Sequence, residues 1–149
     1  MGLQEKITSA LKEAMKAKDQ TALTALRAVK SAILLAQTES GAQAQLTEEQ
    51  ELKMLQKLVK QRKDSAAIYV EQGREDLATP ELAEAEVIGQ FLPESLSEEE
   101  IEKAVAQVIV SVGAEGMKDM GKVMGVVSQQ LAGKADGKTI SNIVKQKLM

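Results

Sequence analysis

The sequence has no cysteine, no histidine and no tryptophan, and Tyr69 and Phe91 are its only aromatic residues. Without cysteine, the chain has neither disulfide bonds nor a thiolate nucleophile. Without histidine, it lacks the side chain that most often serves as a general base or a metal ligand near neutral pH. With only two aromatic rings, it has little with which to stack on the bases of a single strand. We therefore expect no catalytic residue, metal or cofactor in this chain.

Long apolar runs are also missing. No stretch approaches the roughly 18 consecutive apolar residues that a membrane-spanning helix requires. The N-terminal residues, MGLQEKITSA, contain no hydrophobic signal region. The sequence therefore predicts no membrane partner and a cytoplasmic location.

The residues that are abundant favour helices. Apolar residues make up 44% of the 149 positions, and most of them are aliphatic. Leucine, methionine and alanine, together with the many glutamates, lysines and glutamines, are good helix formers. Apolar positions recur with the helical period in nearly every segment, and none shows sustained alternation at every second residue. The pattern predicts an all-α protein of about seven helices.

The first four predicted helices form an N-terminal bundle. The first two cover residues 2–17 and about 20–38, and the stretch SGAQAQ at 40–45 reads as a loop after them. The side chains predicted to face the core of this bundle are Leu3, Ile7, Leu11, Met15, Leu23, Leu26, Val29, Ile33, Leu34, Leu52, Leu55, Val59, Ala66, Tyr69, Leu82, Val87, Ile88 and Phe91.

Local signals set the ends of the third and fourth helices. Thr47 and Gln50 form a capping box that predicts the start of the long third helix. Gly73 is placed to end that helix in a left-handed conformation. Thr79 is a typical helix N-cap, and Pro80 after it is a typical first helical residue. We therefore expect the short fourth helix to begin at this pair.

A second group of helices follows Leu92–Pro93, where proline disfavours helical geometry in the residue before it. We place a boundary here, between an N-terminal subdomain of residues 1–93 and a C-terminal module of residues 94–149. Ser97 and Glu100 form a second capping box that restarts the chain as a helix. The core residues expected in the three helices of this module are Ile101, Val105, Val108, Ile109, Met117, Met120, Val123, Met124, Val127, Leu131, Ile140, Ile143, Val144 and Leu148.

The net charge of −3 conceals a segregation of charge along the chain. Residues 1–63 carry 11 basic and 7 acidic side chains, residues 64–102 carry 1 and 12, and residues 103–149 carry 7 and 3. The acidic total argues against a protein that coats nucleic acid nonspecifically. It leaves room for basic surfaces near both ends of the chain.

Two glycine-rich stretches resemble a phosphate-binding loop, but neither meets all of its requirements. A Walker A loop has four residues between its glycines, a serine or threonine after its lysine, and a preceding strand. GKADGKT, at 133–139, has three residues between its glycines, whereas GMKDMGKV, at 116–123, ends in valine. No nucleotide cofactor is expected. We interpret Gly133 as the cap that ends the sixth helix and Asp136 as the N-cap of the seventh.

Gly121 and Gly125 lie four residues apart inside the predicted sixth helix. Each glycine costs a helix interior about 1 kcal/mol relative to alanine. We therefore expect another helix backbone or a ligand to approach closely at these positions.

The quoted motifs have a family resemblance. The run GMKDMGKVMGVVSQQLAGKADGKTISNIVKQKL resembles the tail module of the GatB/YqeY family, whose hallmark is KDMGKVM followed by G(R/K)ADGK and a basic last helix. The N-terminal part is similar to stand-alone YqeY proteins through LKEAMKAKD, TALRAVKSAI, KQRKDSA, QGREDLA and EAEVIGQFLPESLSEEEI. The resemblance covers almost the whole chain.

The resemblance implies an N-terminal helical bundle followed by a three-helix module. In this family, the module also ends the B subunit of the glutamine-dependent aspartyl/glutamyl-tRNA amidotransferase and is appended to some glutaminyl-tRNA synthetases, where it assists tRNA binding. Stand-alone members are commonly labelled as carbon–nitrogen ligases with glutamine as amido-N-donor. Many relatives have arginine where this chain has Lys134, and lysine lacks the bidentate fork with which arginine grips a phosphate.

The residue types present in the chain argue against a ligase that acts without another protein. Amide formation from glutamine requires an activated nucleophile to release ammonia and a phosphate-handling site to activate the acid. The sequence contains no cysteine or histidine, and it has no Gly-Ser-Ser-type nucleophile region. Catalysis by this chain alone is not expected.

The leading hypothesis is a tRNA-binding accessory module that works with an aminoacyl-tRNA synthetase or an amidotransferase subunit. The alternative is a helical protein-interaction adaptor that uses the acidic segment 64–102. The residues predicted to contact RNA phosphates are Lys118, Lys122, Lys134, Gly137 and Lys138, and a secondary basic stripe on the third helix comprises Lys53, Lys57, Lys60, Arg62 and Lys63.

Overall fold

The computed structural model describes residues 2–39 and 45–149, and in these ranges it contains α-helices, one short 3₁₀ turn and no strand. The prediction of an all-α protein with seven helices is confirmed for this part of the chain. Of the predicted loop at 40–45, residues 40–44 lie outside the described ranges. The helices are α1 (Leu3–Ala17), α2 (Gln20–Glu39), α3 (Glu48–Glu71), α4 (Glu75–Gly89), α5 (Glu98–Val112), α6 (Met120–Gln130) and α7 (Gly137–Leu148), with the 3₁₀ turn at Met117–Asp119 before α6.

Internal contacts divide the chain into two compact units, Met1–Leu92 and Pro93–Met149. In the N-terminal unit, α3 and α4 pack side by side along their lengths, and α2 packs against both of them and against α1. The core of this unit is aliphatic. Its buried residues are Ile7, Ala14, Leu23, Ala25, Leu26, Val29, Ile33, Leu55 and Ile88.

In the C-terminal unit, each of the three helices contacts the other two. Its core consists of apolar side chains from all of them and from the segments that connect them. The backbone N–H of Leu96, in the segment leading to α5, donates to the carbonyl of Lys134 at 2.9 Å, so it joins this segment to the α6–α7 connection. The buried residues are Ile101, Val105, Val108, Val123, Val127, Leu131, Ile140, Ile143 and Val144.

The predicted helix signals are largely confirmed. The capping boxes at Thr47 and Ser97 are both formed, with each side chain accepting a hydrogen bond from the backbone N–H three residues on. Gly73 and Gly113 take left-handed conformations, at φ 73° and 67°. Gly113 directly follows α5, and Gly73 follows Gln72, the C-cap of α3. Gly133 is also left-handed, at φ 79°. It lies inside a turn at residues 131–134, because α6 already ends at Gln130 and Leu131 is its C-cap, so Gly133 does not cap α6 as predicted.

The predicted start of α4 is wrong. The helix begins at Glu75, and Pro80 lies inside it as the sixth helical residue. Because Gly73 reverses the chain and Arg74 already serves as the N-cap, the helix restarts two residues after the left-handed glycine. Thr79 is a helical residue, and its hydroxyl donates to the carbonyl of Glu75 at 3.0 Å instead of capping a first turn.

Four side chains predicted to be in the core are exposed: Met15 at 61%, Leu34 at 55%, Leu82 at 49% and Met117 at 41%. In α1, the sequence stripe followed steps of four residues, and each such step rotates about 40° past a full turn. Ala14 therefore takes the buried position in the last turn, and Met15 turns to solvent. In α2, likewise, Ile33 is buried while its neighbour Leu34 is exposed. In α4, Ala85 is buried while Leu82, three residues earlier, is exposed. Phe91 packs half-buried against the core, as predicted.

Among the described residues, no helix combines the length and apolar character needed to cross a membrane.

Candidate nucleic-acid interface

The predicted phosphate-binding residues of the C-terminal unit form two groups. Lys118 lies in the 3₁₀ turn before α6, and its ammonium group is 3.8 Å from the carboxylate of Glu115. Both side chains are highly exposed, so this ion pair leaves Lys118 accessible. Lys122 is exposed too, but its Nζ donates to the carbonyl of Val112 at 3.4 Å. Lys122 therefore helps to satisfy the C-terminal end of α5.

The second group surrounds the N-terminus of α7. Lys134 lies in the turn before the helix, Gly137 is its first residue and Lys138 its second, and all three are exposed. Within the described ranges, the ammonium groups of Lys134 and Lys138 have no ion-pair or hydrogen-bond partner. Their charges are available for an external anion.

Asp136 modifies this helix terminus. As predicted, it is the N-cap, and its carboxylate accepts hydrogen bonds from the backbone N–H of Thr139 at 2.7 Å and from the Thr139 hydroxyl at 3.0 Å. The carboxylate thus already uses one of the free N–H groups and offsets the helix dipole. A phosphate at this end of α7 would therefore depend on the side chains of Lys134 and Lys138, with Asp136 opposing it.

Gly121 and Gly125 do not mark a close approach within the fold. Both are exposed, and a Cβ added at either would meet no heavy atom within 4 Å beyond its own helix backbone and chain neighbours. The expectation that another helix backbone approaches these glycines is wrong for the described part of the chain. The other expectation, an external ligand, stays a prediction.

The secondary basic stripe on α3 is partly neutralised. Lys53 pairs with Glu49 at 3.0 Å, and Lys60 pairs with Asp64 at 2.9 Å, each one helical turn away. These pairs are exposed and therefore weak. Two further members, Lys57 and Lys63, are exposed and make no ion pair or side-chain hydrogen bond with the described residues.

Arg62 differs from the other members of the stripe. Its side chain is only 16% exposed, its Nε lies 3.4 Å from Oε1 of Glu84 on α4, and one terminal nitrogen donates to the carbonyl of Leu58 at 3.2 Å. The guanidinium is engaged in the contact between α3 and α4. We therefore remove Arg62 from the candidate RNA-binding residues and assign it to the fold.

Two exposed lysines were missing from the predicted set. Lys145 and Lys147 lie in the last turn of α7. The quoted motif of a basic last helix was the available signal for them. Cations in a last turn also have an ordinary structural explanation, because they offset the negative end of the helix dipole.

The acidic and other titratable side chains of the described residues are a further place where a site could lie. In residues 2–39 and 45–149, no group of three acidic, histidine or cysteine side chains could hold a metal ion. The most shifted ionisable groups include Arg74 and Asp76, whose mutual hydrogen bonds raise the pKa of the arginine and lower that of the aspartate. This pair lies at the start of α4 and fits the ordinary stabilisation of a helix start.

Comparison with known proteins finds a matching family and several relatives. The family model described as Yqey-like protein matches residues 4–148. A Clavispora lusitaniae protein named Altered inheritance of mitochondria protein 41, mitochondrial, is 36% identical over 124 residues, which is 81% of this chain and 69% of the relative. The protein of the same name from Pyrenophora tritici-repentis is 29% identical over 139 residues, 91% of this chain and 75% of that protein.

A third relative is much longer than this chain. This relative, a Glutamyl-tRNA(Gln) amidotransferase subunit from Thermococcus gammatolerans, is 37% identical over 73 residues, which is 46% of this chain but only 12% of the relative. The likeness relates part of the chain to part of an amidotransferase component. Since the family model spans nearly every residue, the chain belongs to the YqeY family.

Proposed function

We propose that this chain binds tRNA as an accessory protein of aminoacyl-tRNA metabolism and performs no chemistry of its own. The observation that carries the proposal is the 73-residue likeness to a protein whose name identifies a tRNA-dependent amidotransferase. The likeness covers 12% of that protein, and we infer that the shared part contributes to holding the tRNA.

The exposed lysines of the C-terminal unit support this proposal. Lys118, Lys134 and Lys138 are exposed, and none of their ammonium groups supports the core. Lysines of this kind bind phosphate oxygens and release the counterions condensed on the nucleic acid. Positions 103–149, where these lysines lie, carry 7 basic and 3 acidic residues, and the other acidic residues of the C-terminal unit lie before position 103.

We expect the protein to recognise an RNA by its phosphate backbone and its shape. The two aromatic side chains, Tyr69 and Phe91, are half-buried, and Phe91 packs against the core of the N-terminal unit. The chain therefore offers no exposed aromatic platform for unstacked bases. A folded tRNA, which presents continuous phosphate ridges, suits a surface of lysines.

A titration of labelled tRNA at several salt concentrations tests the proposal. We expect the affinity to fall steeply with salt, and the double change Lys134→Ala, Lys138→Ala to weaken binding by about tenfold and to reduce the salt slope by about 2. The double change Lys12→Ala, Lys16→Ala on α1 is the matched control, because it removes the same charge from exposed positions. Equally weak binding of tRNA and polyglutamate would refute RNA binding.

The protein-interaction adaptor remains a second candidate because of one observation. Four apolar side chains in the acidic segment are substantially exposed, from 38% to 53%. They are Ile68, Val70, Leu77 and Leu82. A stable protein complex that survives nuclease treatment and is lost on Ile68→Ser or Leu82→Ser would favour the adaptor over the RNA-binding protein.

A further inference from the structure

Two cavities with shared walls lie in the N-terminal unit, where the start of α1 meets the start of α3. Their volumes are about 190 and about 330 Å³, and Gly2, Leu3 and Glu51 line both. The larger volume lies at the lower end of the range for small-molecule sites. The residues that line the larger cavity are Gly2, Leu3, Lys6, Glu48, Glu51, Leu52, Leu55 and Phe91.

The larger cavity has an apolar part. Leu55 is almost fully buried, and Leu3, Leu52 and Phe91 are half-buried. Phe91 belongs to the segment that follows α4, so three parts of the chain contribute to this surface. An aliphatic chain could therefore leave water here by contact with side chains that the fold already holds in place.

The charged residues of the cavity are predominantly acidic. Glu48 and Glu51 lie one turn apart on α3, and the smaller cavity adds Glu5. Lys6 is the single cation among the lining residues of either cavity. The electrostatic field in the cavity therefore favours a positive group.

Glu51 lies in the first turn of α3, where its charge offsets the helix dipole, and Lys6 compensates part of that charge. In the described part of the chain, its carboxylate makes no hydrogen bond and no ion pair. Burial raises the pKa of Glu51, the charge of Glu48 raises it further, and Lys6 lowers it. The ionised carboxylate is thus held where only part of its charge is compensated, which a bound cation would correct.

We propose that this cavity binds a primary ammonium group carried on an aliphatic chain. The ammonium group would lie between Glu48 and Glu51, and the aliphatic chain would lie against Leu52, Leu55 and Phe91. A free alkylamine and a lysine side chain of a partner polypeptide share this chemistry. The proposal does not depend on tRNA binding, because none of the candidate phosphate-binding lysines lines the cavity.

Phe91 supplies a direct probe, because it is the only phenylalanine in the sequence. Protein labelled with fluorophenylalanine gives one fluorine resonance, whose shift can be followed by NMR as n-hexylammonium is added. We expect a saturable shift with n-hexylammonium and a weaker response to 1-hexanol, which has the same chain without the charge. N-acetyl-lysine-methylamide distinguishes the two sources, since it binds only if the cavity admits a lysine side chain attached to a backbone.

Glu51→Gln tests the role of the carboxylate, and we expect it to weaken binding of n-hexylammonium about threefold, a typical effect for one partly exposed ion pair. Glu49→Gln is the matched control, because Glu49 lies on the same helix and pairs with Lys53 outside the cavity. It should leave the affinity unchanged. Absence of a saturable Phe91 shift, equal binding of 1-hexanol, or equal losses in the two variants would each overturn the proposal.

Discussion

The guanidinium of Arg62 on α3 faces the carboxylate of Glu84 on α4, with Nε 3.4 Å from Oε1 and both side chains less than one-fifth exposed. The two residues are 22 positions apart in sequence. Arg62 also donates to the carbonyl of Leu58 on its own helix. The pair thus fixes the level at which α3 and α4 pack against each other, in a setting where water screens charges less than at the surface.

Glu84→Gln should destabilise the protein by about 1 kcal/mol, because the arginine keeps a neutral acceptor but loses the opposite charge. Chemical denaturation followed by circular dichroism measures this change. Glu86→Gln, at an exposed position of the same helix, serves as the control and should change the free energy of unfolding by less than about 0.5 kcal/mol. Similar losses in the two variants would contradict a special role for the pair.

Pro80→Ala should stabilise the protein by about 1–3 kcal/mol. Pro80 is the sixth residue of α4, so it lacks the N–H that would bond to the carbonyl of Asp76, and proline inside a helix costs about 3 kcal/mol relative to alanine. If Thr79 capped the helix and Pro80 were its first residue, as the sequence suggested, the same change would be neutral or destabilising. The sign of the change in unfolding free energy therefore distinguishes the two helix starts.

Gly125→Ala should stabilise the C-terminal unit by about 0.5–1 kcal/mol. Gly125 is an interior residue of α6, and the added methyl group would meet no neighbouring atom within 4 Å. Thermal unfolding of the full chain measures the gain. If tRNA affinity falls while stability rises, an external ligand requires the close approach that the fold itself does not use. A loss of stability would contradict the open surroundings of Gly125.

The sequence was most informative where a local interaction determines the structure. The capping boxes at Thr47 and Ser97 and the left-handed Gly73 involve neighbours within a few residues, and each was identified correctly. The sequence was less informative where contacts with a distant segment determine which side chain is buried. Whether Met15 or Ala14 is buried depends on which face of α1 the other helices cover, and a stripe in steps of four residues drifts off that face by the last turn.

The same distinction applies to the candidate sites. The sequence correctly predicted that Lys134 and Lys138 flank the start of α7, because their positions follow from two adjacent helix ends, and their contact with RNA stays a prediction. It could not separate Arg62 from its lysine neighbours, because its partner Glu84 lies on another helix. It also gave no sign of the cavity, since Glu48 and Glu51 resemble ordinary first-turn acidic residues until α1 and Phe91 are brought beside them.

Glu51→Gln should make the protein less sensitive to pH. Since the folded-state pKa of Glu51 is raised above its reference value of 4.5, the folded state holds this proton more tightly than the unfolded state does. In the wild type, the contribution of this bound proton to the free energy of unfolding is therefore complete below about pH 4.5. The contribution is lost as the pH rises through the folded-state pKa. Glutamine does not titrate, so the variant should gain stability over wild type between about pH 4 and pH 7.

Denaturation curves at the two pH values measure this difference. Glu48→Gln removes one of the two causes that raise the pKa of Glu51, so it should reduce the contribution of Glu51 to the pH dependence without abolishing it. A difference between Glu51→Gln and wild type that stays the same from about pH 4 to pH 7 would contradict the raised pKa.

Asp136→Asn should strengthen tRNA binding about two- to fivefold at low salt, if the lysines at the start of α7 contact phosphates. Asparagine caps a helix as well as aspartate does, so the hydrogen bond to the N–H of Thr139 is retained. The change removes the negative charge that opposes a phosphate near Lys134 and Lys138. In place of Oδ2 it puts an NH2 group, which can donate to the Thr139 hydroxyl instead of accepting from it. Because this effect is electrostatic, the gain should shrink as salt rises.

Asp19→Asn provides the control, because Asp19 accepts a backbone hydrogen bond from Ala22 at the start of α2, in the N-terminal unit. It makes the same chemical change at another helix start, away from the candidate lysines in sequence. Unchanged or weaker tRNA binding by Asp136→Asn, with an unchanged free energy of unfolding, would exclude the start of α7 as a phosphate contact. Equal gains in the two variants would show that net charge alone is responsible.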